Sequence, residues 1–115
     1  MIEFKGNTLF ISNAYSEQRK LELPQRIKEA VAFKEFFILT IWRGDQKENM
    51  ENLICFDSHL KEVWRQKTPY AEKGVDDSFG GLSISDSKLY IGNFLGWQWK
   101  LDPASGELTN PVFHK

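Results

Sequence analysis

Short extended segments separated by turn residues divide this 115-residue chain, and they constrain its fold more than any other feature. The clearest series runs from residue 88 to residue 108, where KLYIGN and WQWKL are joined by FLG and followed by the turn DPASG. Alternating apolar and polar residues between Gly, Asn, Asp and Pro are typical of antiparallel hairpins. No segment has a convincing helical pattern. The sequence therefore predicts an all-β, antiparallel fold.

Ten strands are predicted within a single domain that spans residues 1–115. They form an N-terminal hairpin in residues 1–13 and two four-stranded groups in residues 27–66 and 80–113. Within the first group, residues 36–42 are almost wholly apolar. A run of this kind indicates a central strand that is covered on both faces.

Three connecting segments are expected to be loops because they lose the alternation. Residues 13–25 contain Pro24, which disfavours helical geometry at the residue before it. Residues 43–50 are polar and are expected to form a loop with at most a short helical turn. Residues 67–79 include a Pro, a Gly and two adjacent acidic residues, and are expected to form a long loop.

The two four-stranded groups match each other along the chain. Residues 57–63 align with residues 102–108 at an offset of 45 positions, and residues 33–39 align with residues 85–91 at an offset of 52 positions. The offsets differ by seven positions, which fall in the loop after the central strand. We expect two equivalent meanders; the alternative is that two unrelated meanders share the same turn chemistry.

Turn chemistry at the two aligned corners is predicted to differ. In the second corner, Asp102 can accept hydrogen bonds from the backbone amides that follow it, Pro103 presets φ, and Gly106 can adopt a positive φ. Lys61 stands at the position that corresponds to Gly106. Because a non-glycine residue is strained at positive φ, the first corner is expected to adopt a different turn.

Composition excludes several classes of protein. The formal net charge is −1 and the basic residues are not clustered, so we expect no nucleic-acid partner. No apolar run approaches the ~20 residues of a membrane span, and the N-terminus lacks the pattern of a signal peptide. With one cysteine there is no internal disulfide. We expect a cytoplasmic protein that does not associate with membranes.

Reactive side chains do not form a recognisable catalytic or metal-binding set. His59 and His114 are far apart in the sequence, and a zinc site needs three or four suitably spaced ligands. Cys55 lies in an apolar strand and is expected to be a buried, inert thiol. We therefore expect no metal site and no enzymatic activity.

Two groups of residues are candidates for a binding site. The first group lies in the loop of residues 67–79, which is either simply solvated or faces a basic partner; it comprises Glu72, Asp76 and Asp77. The second group is aromatic and comprises Phe94, Trp97 and Trp99. Its two Trp rings are either both core residues, or one of them stands at the edge of the sheet as an anchor for a protein or a sugar.

At residues 53–64 and 88–106 the sequence resembles propeller blades of the PQQ-like type. Such a blade has a strand that ends in Asp, a turn with Gly and a strand that ends in Trp, and the matching residues are Asp57, Trp64, Asp102 and Gly106. A closed propeller has at least four blades, so two blades imply a half-propeller or an open sandwich. The first turn lacks its Gly, and residues 109–111 stand where the second blade would have its Trp. We therefore expect no quinone, and we expect no other cofactor.

The chain also resembles small, single-domain bacterial proteins that look like half a propeller. The shared features are Leu23-Pro24 with Ile27, the apolar run, the Asp-turn-Trp hairpin, and the closing residues 93–106. Such proteins are often encoded near secreted toxins, and the resemblance implies an immunity protein that neutralises a cognate, basic toxin domain.

We therefore expect a non-catalytic protein-binding domain, most concretely an immunity protein. Two alternatives remain open. The chain could be a small-ligand or glycan-binding module that uses its Trp residues, or a scaffold in which a homodimer of half-propellers closes one ring.

Overall fold

The computed structural model describes residues 2–13, 16–42, 51–68 and 78–114, and these residues form an all-β domain. They contain no helix, and so none that could cross a membrane. The strands are β1 (Ile2–Lys5), β2 (Thr8–Asn13), β3 (Ser16–Glu22), β4 (Ile27–Phe33), β5 (Phe36–Ile41), β6 (Leu53–Phe56), β7 (Glu62–Gln66), β8 (Phe79–Ser85), β9 (Lys88–Asn93), β10 (Trp97–Leu101) and β11 (Leu108–Phe113).

The strands form three open antiparallel sheets, and each sheet is built from consecutive strands. The N-terminal sheet has the order β1-β2-β3, the central sheet β4-β5-β6-β7, and the C-terminal sheet β8-β9-β10-β11. The prediction of an antiparallel all-β fold with two four-stranded meanders is confirmed. Contacts between different sheets concentrate on their first strands, where β4 lies beside both β1 and β8.

Strand β3 corrects the prediction that residues 13–25 form a loop. It pairs with β2, with Leu21 opposite Leu9 and Arg19 opposite Ile11, so the predicted hairpin is a three-stranded sheet. Leu21 is the only large apolar residue of β3, and its neighbours from Gln18 to Lys20 are exposed. The strand is held mainly by its backbone pairing, and for this reason it has no apolar alternation.

The central sheet is covered on both faces. One buried cluster joins it to the N-terminal sheet and consists of Leu9, Ile11, Leu23, Ile27, Leu39, Ile41, Ile54 and Phe56. A second cluster joins it to the C-terminal sheet and consists of Ile38, Leu53, Cys55, Phe79, Leu89, Ile91, Trp99 and Leu101. Successive residues of β5 and β6 alternate between the two clusters, as side chains do along a strand. The predicted central strand with two covered faces is confirmed.

The two corner turns differ as the sequence predicts. In the second corner Gly106 has a φ of 79°, and its amide donates to the carbonyl of Asp102 at 2.7 Å. In the first corner the positive φ of 62° falls on Leu60, whose amide donates to the carbonyl of Asp57 at 3.0 Å. The first corner is thus closed by a different turn, in which Lys61 avoids the left-handed conformation.

Buried Asn52 attaches the central sheet to the start of β8. Its Nδ2 donates to the carbonyl of Phe79 at 3.0 Å and to that of Ile41 at 3.3 Å. Its Oδ1 accepts from the backbone amide of Phe79 at 3.0 Å. The amide side chain therefore pairs with Phe79 as a neighbouring strand would.

Glu29 makes a second attachment, between β4 and an irregular part of β8. The register of β8 shifts between Gly80 and Ser83. There the Glu29 carboxylate accepts from the amide of Gly81 at 2.9 Å and from the amide of Leu82 at 3.0 Å. Together Asn52 and Glu29 fix the beginning of the C-terminal sheet against the central sheet.

Candidate binding surface

Exposed aromatic side chains gather where the central and C-terminal sheets meet at one end. Trp42 follows β5, Phe94 and Leu95 form the turn between β9 and β10, and Phe113 ends β11. Trp42 is 48% exposed, Phe94 59% and Phe113 49%. We call this surface the aromatic rim; its members are Lys28, Trp42, Phe94, Leu95, Trp97 and Phe113.

Lys28 joins two exposed rings of the rim, those of Phe94 and Trp42. Its Nζ lies 4.2 Å from the centroid of the Phe94 ring and 5.1 Å from the centroid of the Trp42 ring. An ammonium within about 6 Å of a ring centroid is attracted by the ring quadrupole, by ~0.5–1 kcal/mol at exposed sites. Lys28 therefore bridges a residue of the central sheet and a residue of the C-terminal sheet.

The turn that presents Phe94 is held at several points. The amide of Phe94 donates to the carbonyl of Ser78 at 3.3 Å, and the amide of Trp97 donates to Oδ1 of Asn93 at 2.9 Å. Gly96 has a φ of 101°, and a methyl group there would lie 2.5 Å from the carbonyl oxygen of His114. Only glycine allows this close approach of the C-terminal end of β11 to the turn.

The three aromatic residues predicted from the sequence occupy different environments. Trp99 is 2% exposed and meets Phe79 edge-on, with 6.0 Å between the ring centroids. It is a core residue and cannot contact a partner, so its assignment to a binding site is corrected. Trp97 is partly buried against Phe113, at 5.2 Å between centroids, and Phe94 is exposed.

Trp42, Lys28 and Phe113 are rim residues that the sequence did not single out. Trp42 closes the apolar run that predicts the central strand, and nothing in the pattern indicates that its ring turns outward. The acidic candidates Glu72, Asp76 and Asp77 lie outside the described residues.

Cys55 is a core thiol, as its apolar strand predicts. It is fully buried, and its Sγ lies 3.5 Å from the carbonyl oxygen of Pro103. Burial, together with the nearby charge of Asp57, raises the pKa of Cys55 to about 12. The thiol is therefore protonated at neutral pH and is a poor nucleophile.

Other polar groups near the surface do not converge on one point. His59 is exposed in the first corner turn, while the ring of His114 lies 3.1 Å from Oε1 of Gln98. Within the described ranges, no group of three or more His, Cys, Asp or Glu side chains could hold a metal ion. A surface cleft of about 390 Å³ is lined by residues of both charges, among them Lys34, Lys88 and Asp102.

The fold and this surface define a class of protein: an open three-sheet antiparallel β domain with an exposed aromatic rim. The chain matches, over residues 1–113, the family described as a domain of unknown function, DUF7957, and it belongs to that family. No curated protein and no solved structure matches it.

Proposed function

We propose that this domain is a non-catalytic protein-binding module that contacts its partner through the aromatic rim. The observation that carries the proposal is the exposure of Trp42, Phe94 and Phe113 at one end of two packed sheets. Single exposed apolar residues are ordinary on soluble proteins, but a group of them marks an interaction site. Trp is also enriched among the residues that dominate binding energy.

The exposed area of the rim is large enough to matter for binding. An aromatic side chain has roughly 200 Å² of surface, and about half of it is exposed in each of the three rings. Docking would then bury roughly 100 Å² per ring, which is worth ~2.5 kcal/mol at ~25 cal/mol per Å² before the costs of association. The held turn lowers those costs because Phe94 is already positioned.

The partner we propose is a toxin domain, so that the module acts as an immunity protein. Support comes from the resemblance to half-propeller proteins encoded near toxins, which rests on Leu23-Pro24 with Ile27 and on residues 36–42, 57–64 and 93–106. The matching order of the two four-stranded sheets, and the contact of β4 with both β1 and β8, also support a propeller-like arrangement of repeated blades.

Co-expression with the product of the adjacent gene tests this function, and a neighbour that is not a toxin would remove the support for it. Phe94→Ser should abolish co-purification and protection from the toxin, because it removes the most exposed ring. Ile84→Ser is the matched control, since Ile84 is 47% exposed near the far end of β8. A missing complex, or equal loss in both variants, would contradict the proposal. Sedimentation of the chain alone distinguishes a homodimer from a monomer that awaits its partner.

A glycan-binding module is the second candidate, favoured by the half-exposed ring of Trp42. Sugars stack on exposed aromatic faces, and a stacked sugar would change the fluorescence of Trp42. Titration with a panel of sugars should then give saturable changes in the wild type that are absent in Trp42→Phe. An unchanged spectrum across the panel would exclude this candidate.

A further inference from the structure

The charge of Lys28 has no anionic partner at the rim. Its ammonium lies between the rings of Phe94 and Trp42, and among the described residues no carboxylate forms an ion pair with it. The flanking rings displace part of the water that would otherwise solvate the ammonium. A positive charge with reduced hydration is thus held at the centre of an exposed apolar surface.

Glu29, the neighbour of Lys28 in β4, is already engaged. Its Oε1 accepts from the hydroxyl of Thr40 at 2.9 Å, and both of its oxygens accept from the amide of Gly81. The carboxylate is therefore held on the sheet backbone and forms no ion pair with the ammonium.

We propose that Lys28 selects a carboxylate on the partner, so that the rim binds a protein segment in which Asp or Glu lies beside a large apolar residue. The apolar residue packs on Phe94 and Leu95, and the carboxylate accepts a hydrogen bond from Nζ of Lys28. This inference rests on the proposed function, because it names the chemistry that the same rim recognises.

Charge complementarity favours this partner over single-stranded nucleic acid. Bases also stack on exposed aromatic rings, but their backbone requires a row of cations along the strand. The rim has one Lys between its rings, and the chain has a net charge of −1. One cation framed by apolar groups fits one carboxylate beside an apolar side chain.

Gly80 offers a way to move the ammonium without deleting it. A methyl group at Gly80 would lie 2.8 Å from Nζ of Lys28. That atom is the end of a flexible side chain, so Gly80→Ala should shift the ammonium away from the rings and leave the backbone in place. Lys28→Met removes the charge and keeps the apolar stem, while Lys28→Arg keeps the charge. Lys20→Met, on exposed strand β3, is the matched control.

Selection of random peptides displayed on phage tests the inference with the intact domain as bait. Wild type, Lys28→Arg and the Lys20→Met control should select peptides with an acidic residue beside Phe, Trp, Leu or Tyr. Lys28→Met and Gly80→Ala should lose the acidic enrichment and keep the apolar one. For a selected peptide, Lys28→Met should raise Kd about tenfold, equivalent to ~1.4 kcal/mol. Added salt should weaken the wild-type complex more than the Lys28→Met complex.

The outcomes separate the inference from the function on which it rests. If peptides depend on Phe94 but show no acidic enrichment, the carboxylate proposal is wrong and protein binding stands. If no peptide depends on Phe94, both fail. Binding of a thymine oligonucleotide that is tighter than that of the selected peptides and depends on Phe94 would also overturn the proposal. Thermal unfolding of each variant verifies that the bait is folded.

Discussion

Replacing Asn52 with alanine should weaken the attachment of the C-terminal sheet to the central sheet. Asn52 is 1% exposed, and its side chain pairs with both the amide and the carbonyl of Phe79. Alanine leaves these two groups buried without partners, at about 1–3 kcal/mol each. The expected loss is about 4 kcal/mol, a large share of the roughly 5–15 kcal/mol that stabilises a domain.

Asn52→Asp sharpens the prediction because it has the same shape but different chemistry. At about pH 7 its carboxylate would be buried and would face the carbonyl oxygens of Phe79 and Ile41, so its pKa should be raised above ~3.9. A raised pKa in the folded state means that folding binds a proton. The variant is then most stable below its unfolded pKa, where a protonated oxygen can donate to Phe79. It loses stability as the pH rises through the folded pKa.

Urea unfolding followed by Trp fluorescence measures both effects. Asn7→Ala is the control, since Asn7 is exposed and donates to one carbonyl, that of Leu23 at 2.7 Å; it should cost only about 1 kcal/mol. The reasoning would be refuted if Asn52→Ala fell within 1 kcal/mol of that control. It would equally fail if Asn52→Asp became more stable, relative to wild type, as the pH rises.

Further substitutions test the other attachments. Glu29→Gln should cost about 2 kcal/mol in urea unfolding, because it turns an amide donor towards the backbone donors of β8. Gly96→Ala should cost about 3 kcal/mol or more, since alanine is strained at this φ and clashes with His114. The pKa of Asp57 is lowered chiefly by the hydrogen bond from the amide of Lys61. The wild type should therefore lose stability as the pH falls from the unfolded-state pKa of Asp57 through its lower folded-state pKa. Asp57→Asn should lose less stability over the same change in pH. Cys55 should react with a thiol reagent only at the rate of unfolding.

Backbone pattern and turn chemistry were sufficient to predict most of the fold. The strands of the central and C-terminal sheets follow from apolar alternation. The contrast between Gly106 and Lys61 predicted that the two corner turns differ. Strand β3 was not predicted because it is an edge strand with solvated side chains, such as those of Arg19 and Lys20, and its sequence has no apolar alternation. Its pairing depends on the position of β2, which sequence alone does not give.

The rim was only partly predictable for a different reason. The alternation of Trp97 and Trp99 gives their shared side of β10, but not how far the central sheet covers each ring. Trp99 lies in the buried cluster between the central and C-terminal sheets, whereas Trp97, at the start of β10, is only partly buried. The meeting of Lys28 with Phe94 joins residues far apart in the chain. It follows from the packing of two sheets, which no local pattern encodes.

The assembly of each sheet from consecutive residues has a consequence for synthesis on the ribosome. The first two sheets are complete once Gln66 has emerged, yet the side of the central sheet that carries Ile38, Leu53 and Cys55 then lacks the residues of the C-terminal sheet that pack on it in the complete domain. Until residues 79–113 are made, the nascent chain exposes this apolar face of the central sheet. A transcript truncated before β8 would therefore yield an aggregation-prone fragment, and chaperone demand should peak in that interval.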